Sequence, residues 1–296
     1  MVPLDTTSDL VPTLRSERPD VCYSALHGKH GEDGTIQSLL EFVGIPFVGS
    51  PASVCQRTWN KDSLHSEMAT YRAITGDAPV ASWPQGLYIA RDAFKSMGAA
   101  TALDRGGRPR DRRLSRGGQA RSQAGSAMGV HRVDSVDQLG EAILDALSFD
   151  EAVVIEQWVE GVEMAVSVLG NGWDAYALPP VEIVAKSGMF DTEARMTPGA
   201  VEYFAPVRPA SLSQDEAEAH AIRAEIERAA LEVYRAYNVR DLARIDLIWD
   251  GAQARVFEVN VSPGMAESSL FPAACAAAGL SLPAVLDELV NNALAR

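Results

Sequence analysis

The chain has 296 residues, 47% hydrophobic and 22% charged, with 26 basic against 40 acidic side chains and a net charge of −14. That length can bury a core in one large or two to three smaller domains, and the composition is that of an ordinary globular protein. So acidic a chain lacks the basic footprint of a nucleic-acid binder and is repelled by anionic membranes, and three cysteines without a CxxC pair give neither a disulfide framework nor a zinc site.

The N-terminal stretch MVPLDTTSDLVPTL has no basic n-region and no apolar h-region, and no transmembrane run occurs, so a cytoplasmic protein is expected. Residues 18–24 read as a short strand entering the glycine-rich loop HGKHGEDGT. A helix is expected from Thr35 to about Phe42, capped by Thr35, then a strand at 45–50 and a helix at 61–76. Pro79, Pro84 and Gly86 mark 77–90 as loop and strand, and 92–104 as the next helix. The composition then changes abruptly: residues 105–121 hold seven arginines, with Asp111 as the lone acid, and no hydrophobic period survives. Ordinary patterning resumes at Gly125. An amphipathic helix is expected at 135–148, with Ser135 and Gln138 as a capping box. Strands at 152–159, 164–170 and 179–185 precede a long helix at 214–237. Strands at 243–250 and 254–261 flank Asp250-Gly251, a strong hairpin signal, and the last helix spans 282–294. Mixed helices and strands with antiparallel hairpins give an α+β fold class.

The hairpin carries the sharpest chemistry. Arg244 and Asp246 lie two apart on one strand and share a face, as do Glu258 and Asn260 on its partner. Two carboxylates and an amide are hard oxygen donors suited to Mg²⁺, and Arg244 beside them suits an oxyanion or a phosphate. An ordinary hairpin with a solvated polar face would show the same pattern.

The sequence following the hairpin narrows the choice. Glu258-Val-Asn-Val-Ser-Pro-Gly-Met265 with Ser268-Ser-Leu-Phe-Pro272, preceded by ARID at 243–246, resembles the closing motif of the D-alanine–D-alanine ligase family. HGKHGEDGTIQSLLEFVGIPFVGS at 27–50 resembles its N-terminal signature, and IEQWVEGVEMAVSVLG and TPGAVEYFAPVR fit between them. The resemblance covers the chain from about Asp20 to its end. It implies an ATP-grasp fold with a partial N-terminal α/β domain at 1–55, a central domain at 56–157 and a catalytic domain at 158–296. It implies an ATP- and Mg²⁺-dependent peptide-bond-forming ligase, with Mn²⁺ as a substitute, acting on small amino acids, D-alanine first. Ligation would proceed through an acylphosphate that the second amine attacks. A homodimer is the family habit; no nucleic acid and no membrane are expected as partners. A ligase for another D-amino acid or hydroxy acid and a catalytically degenerate scaffold are the alternatives.

Residue by residue, the resemblance makes Asp246, Glu258 and Asn260 the metal ligands, and Arg244 and the Gly264 N–H the oxyanion donors. Ser269 and Leu270 match the pair receiving the second substrate's carboxylate, and His27 the histidine beside the first substrate. Lys61 matches a phosphate-contacting lysine. Glu156, Gln157 and Val159 match the adenine strand, Glu163 the ribose carboxylate. Ser126 and Ala127, within Gly125–Gly129, match the glycine/serine loop over the phosphates. Arg195 stands where a lysine is common, and Met196 where an aromatic residue bears on the second substrate.

Two departures concern missing parts. No residue before Asp20 maps to the family's N-terminal glutamate. The family's Val-Lys-Pro, whose lysine grips ATP, is replaced by Gly118-Gln119-Ala120-Arg121. A compensated frameshift accounts for this. The codons GGN-CAR-GCN-CGN, read one base later, permit Val-Lys-Pro-Ala, and the same shift turns Leu114-Ser115-Arg116-Gly117 into Tyr-Pro-Val-Val. Arginine-rich translation is what GC-rich DNA yields out of frame. A genuine basic loop that binds an anion, with Arg121 in the lysine's place, is the rival reading.

Overall fold

The computed structural model describes residues 2–61, 63–96, 118–122, 129–188, 190, 194 and 197–296. Helices are α1 (Leu10–Glu17), α2 (Thr35–Val43), α3 (Ala52–Trp59), α4 (Ser63–Thr75), α5 (Val136–Phe149), α6 (Pro209–Leu212), α7 (Glu216–Ala236), α8 (Leu270–Ala277) and α9 (Leu282–Leu294). Strands are β1 (Cys22–Tyr23), β2 (Phe47–Val48), β3 (Ala81–Ser82), β4 (Gly86–Ala90), β5 (Gly118–Ser122), β6 (His131–Val133), β7 (Ala152–Gln157), β8 (Val162–Asn171), β9 (Tyr176–Ala177), β10 (Val181–Ala185), β11 (Val201–Phe204), β12 (Arg240–Trp249) and β13 (Ala254–Asn260). Much of the helix expected at 92–104 lies outside the described residues. The cap of α2 is a correction: Gly34 is the N-cap, with no side-chain cap hydrogen bond, and Thr35 is the first helical residue, its N–H donating to Asp33 Oδ1 at 2.9 Å. The capping box of α5 is present, with Gln138 Oε1 accepting the N–H groups of Asp134 and Ser135.

The strands form three sheets. A seven-stranded sheet runs β11-β10-β8-β12-β13-β3, with β9 pairing β8; a four-stranded sheet runs β4-β7-β5-β6; β1 and β2 pair in parallel. Alternation assigns the faces of the large sheet. Met164, Val166 and Val168 of β8, with Ala243, Ile245 and Leu247 of β12, face α7 and α4. Ala165 and Leu169 of β8 and Leu242 of β12 face α8 and α9. Arg244 and Asp246 continue this second face past Leu242. In the small sheet Val153 and Ile155 of β7 pack on α5, so Glu156 belongs to the opposite face.

Residues on both sides of position 56 pack on the large sheet. Val54, Leu64, Met68 and Ala81 all join the core of the seven-stranded sheet, and β3 pairs β13. Only residues after the Trp83–Gln85 linker enter the small sheet, because the apolar face of α4 fits the α7 side of the large one. The chain returns through 158–161, where Gly161 is obligatory: a Cβ there would lie 2.1 Å from the Trp249 carbonyl oxygen. The Gln157 N–H donates to the Gln85 carbonyl, binding the two linkers side by side.

A buried carboxylate ties the N-terminal unit to the large sheet. Asp241, fully buried and at positive φ, accepts the Gly49 N–H at 2.7 Å and Arg296 Nη2 at 2.7 Å. Removing one partner leaves a buried charge under-satisfied. Arg296→Ala is therefore expected to lower stability by about 1–3 kcal/mol, discounted because the arginine is partly exposed, with Arg296→Lys intermediate. Urea denaturation reads this; an unchanged midpoint for the alanine variant would show the contact to be incidental.

Candidate active site

The β12–β13 hairpin sets the frame. Its turn is closed by Asp250, whose Oδ1 accepts the N–H groups of Ala252 and Gln253, with Gly251 at φ 91°. Register then places Arg244 opposite Asn260 and Asp246 opposite Glu258, with an irregularity after Asp246. Arg244 holds Asp246 as a fork, Nε to Oδ1 at 2.6 Å and Nη2 to Oδ2 at 2.8 Å. Burial works against the guanidinium charge, but Asp246, then Glu258 and Glu32, outweigh it, and its pKa lies above the ordinary arginine value. Asn260 Oδ1 accepts the Ser262 N–H at 2.9 Å.

Two segments close on the hairpin from far away in sequence. Lys61, between α3 and α4, brings Nζ to 3.4 Å from Glu258 Oε2. The glycine-rich loop brings His27, whose Nδ1 lies 3.0 Å from the Ser262 carbonyl oxygen. A carbonyl only accepts, so in this contact Nδ1–H is the donor. The Ser262 hydroxyl donates back to the Leu26 carbonyl. Gly264 lies against Ser269: a Cβ at 264 would meet Ser269 Oγ at 2.9 Å. Ser269 is the N-cap residue of α8, and the Leu270 side chain is buried among Phe271, Val285 and Leu289. What Leu270 can offer a substrate is its backbone N–H at the helix N-terminus, where an anion is favoured.

Glu156, Gln157, Val159 and Glu163 follow one another from the end of β7 through the linker into β8. Ser126, Ala127, Arg195 and Met196, like residues 105–117 of the arginine-rich segment, lie outside the described residues. Residues 118–122 form β5, paired to β6 on one side and β7 on the other, with Gln119 opposite Glu156.

Sequence reasoning passed over Glu32, although it sits inside the HGKHGEDGT motif. Its carboxyl is buried, 3.8 Å from His27 Nδ1, and lines a cleft with Trp59, Lys61 and Glu258. Burial, chiefly, pushes its pKa up to about 7; the Gly28 amide opposes this, Glu258 adds to it, Arg244 opposes it and Asp246 adds to it. The folded chain thus keeps this proton to a higher pH than the unfolded chain, and stability contributed below pH 4.5 is lost as pH rises toward 7. Glu32→Gln should remove that slope, gaining about 1–3 kcal/mol over the parent at pH 8 relative to pH 4. Urea midpoints at both pH values test this, and parallel pH profiles would contradict it.

The donor set suits a hard divalent cation, since Asp246, Glu258 and Asn260 offer oxygen from adjacent positions of two paired strands. Among the described residues no group of three or more His, Cys, Asp or Glu side chains is clustered for a metal. The third donor here is an amide, and each carboxylate is held by a cation, Asp246 by Arg244 and Glu258 by Lys61. No single helix among the described residues is long and apolar enough to cross a membrane.

Known proteins resemble this chain in sequence and in fold. The family described as D-ala D-ala ligase N-terminus matches residues 6–50, and that described as D-ala D-ala ligase C-terminus matches 120–291. The arginine-rich segment up to residue 119 lies outside both matches. A D-alanine–D-alanine ligase of Desulforamulus reducens is 35% identical over 294 residues, 99% of this chain and 88% of that protein. A D-Ala:D-Ser ligase structure from Enterococcus faecalis superposes with a TM-score of 0.74 at 26% identity, covering 93% of this chain and 73% of that one. A Bacillus anthracis D-alanine–D-alanine ligase solved with ATP shares the fold, with a TM-score of 0.73 at 24% identity over 100% of this chain and 86% of that one.

Proposed function

The chain belongs to the D-alanine–D-alanine ligase family and has its ATP-grasp fold, and from that membership we propose that it is an ATP-dependent ligase joining two D-alanine molecules for peptidoglycan precursor synthesis. The observation that carries this reading is the hairpin register, which faces Arg244 and Asp246 with Asn260 and Glu258, while Lys61 and His27 close on it from the N-terminal third.

Asp246, Glu258 and Asn260 would hold Mg²⁺, or Mn²⁺, beside the nucleotide phosphates, and Lys61 would contact the phosphates. The magnesium nucleotide supplies the phosphoryl group that activates the first carboxylate. Arg244 commits two of its five donors to Asp246 and keeps others for the oxyanion that forms when the second amine attacks. The Gly264 N–H serves the same oxyanion. Ser269 and the Leu270 N–H receive the second carboxylate, and His27, oriented by the Ser262 carbonyl, stands at the first substrate. Glu156, Gln157 and Val159 hold the adenine and Glu163 the ribose; Ser126, Ala127 and Arg195 complete the phosphate site. A cytoplasmic location and a homodimer belong to the same proposal.

A ligase for another D-amino acid or hydroxy acid and a degenerate scaffold are not favoured by the sequence relatives at 32–35% identity, which are named D-alanine–D-alanine ligases. Phosphate release from ATP with D-alanine, compared with a panel of D-amino and D-hydroxy acids, tests the choice. D-alanine is expected to be the best substrate, and a clear preference for any other would overturn the assignment.

A further inference from the structure

Each carboxylate read as a metal ligand is already held by a cation of this chain, and the two holds differ in kind. Arg244 grips Asp246 from two residues away with a fork of 2.6 and 2.8 Å. Its donors are planar and fixed on one strand, so this pair is part of the frame. Lys61 reaches Glu258 across 197 residues of sequence, with a single contact of 3.4 Å. Its ammonium is a point charge on a flexible stem and can leave along the cleft. It is nonetheless well enclosed, with side-chain exposures of 12% for Lys61 and 22% for Glu258.

We propose that Lys61 is the resident counter-ion of Glu258 and competes with the divalent cation for it. This rests on the reading of Asp246, Glu258 and Asn260 as the metal ligands. The charge balance explains the arrangement. Glu32, Asp246 and Glu258 converge here, and Arg244 and Lys61 face them. Without Lys61, Glu258 would lose this cation in a partly enclosed cleft, beside the Arg244-held Asp246 and beside Glu32 wherever that carboxyl is ionised. With Lys61 in place, an arriving dication must displace an ammonium already on its ligand. A polyphosphate changes this, because it offers the ammonium a more highly charged anion and frees Glu258 for the metal. Bare metal ion is therefore held back, and metal loading is coupled to arrival of the phosphates.

The test is Mn²⁺ binding without nucleotide, followed by the electron paramagnetic resonance signal of free Mn²⁺, in the full chain and its variants. Lys61→Met should bind Mn²⁺ about fivefold or more tighter than the parent, since the competing cation is gone. Lys61→Arg, which keeps the charge, should stay near the parent. Glu258→Gln should weaken binding about tenfold or more. Should Lys61→Met bind Mn²⁺ no tighter than the parent while Glu258→Gln weakens it, the counter-ion role is refuted and the metal site stands. If Glu258→Gln binds as the parent does, the metal-site reading fails and takes this inference with it. Lys61→Gln replaces the methionine variant if thermal melting shows that one unfolded.

Discussion

Sequencing the gene across the codons for residues 100–130 is expected to restore one reading frame through the arginine-rich segment, and with it a Val-Lys-Pro ahead of the Gly125–Gly129 loop. In the shifted frame the lysine falls at position 119. The backbone places that position in β5 directly opposite Glu156 of β7, so a lysine there would share the face of the sheet that carries Glu156. That face is the one turned away from α5, where Val153 and Ile155 pack. A cation beside the nucleotide strand stabilises developing phosphate charge, and losing such a contact typically costs about 100-fold or more in turnover. The frame-corrected chain should therefore release phosphate with D-alanine at least about 100-fold faster than the chain as it stands. The two family matches, at 6–50 and 120–291, leave residues 51–119 uncovered, the arginine-rich segment among them. If the gene encodes the chain as it stands, the frameshift reading fails; if that chain also turns over as fast as one given the lysine, Arg121 becomes the candidate phosphate contact.

Local signals made the hairpin and most helices legible. Asp250-Gly251 announced the turn, period-2 alternation put Arg244 with Asp246 and Glu258 with Asn260, and α9 spans the expected residues. What escaped was set by distance along the chain. Nothing local marks Lys61 as the partner of Glu258, or Arg296 as the partner of Asp241; both pairs are made by tertiary packing. The packing of the segment after residue 56 was hidden for the same reason. The apolar positions Leu64 and Met68 mark a buried helix face but not which sheet buries it. Glu32 was hidden differently. An acidic residue in a glycine-rich loop reads as solvated, and only the fold shows it buried beside other carboxylates.

Arg244→Met is expected to abolish most ligase activity, by about 100- to 1,000-fold in turnover, measured in the frame-corrected chain. The guanidinium does two things that a methionine cannot. It neutralises Asp246 where Glu258 and Glu32 lie close, and it keeps donors beyond the Asp246 fork for an oxyanion. Arg244→Lys separates these. A lysine keeps the charge but cannot reproduce the planar fork, so Asp246 would lose its fixed orientation. If charge alone mattered, the lysine variant would recover nearly full turnover. If the fork fixes the metal ligand and the oxyanion donor together, turnover stays within about tenfold of the methionine variant, while thermal stability recovers. A methionine variant that kept more than about a tenth of the parent turnover would reduce Arg244 to a structural counter-ion and remove the oxyanion role from the proposal.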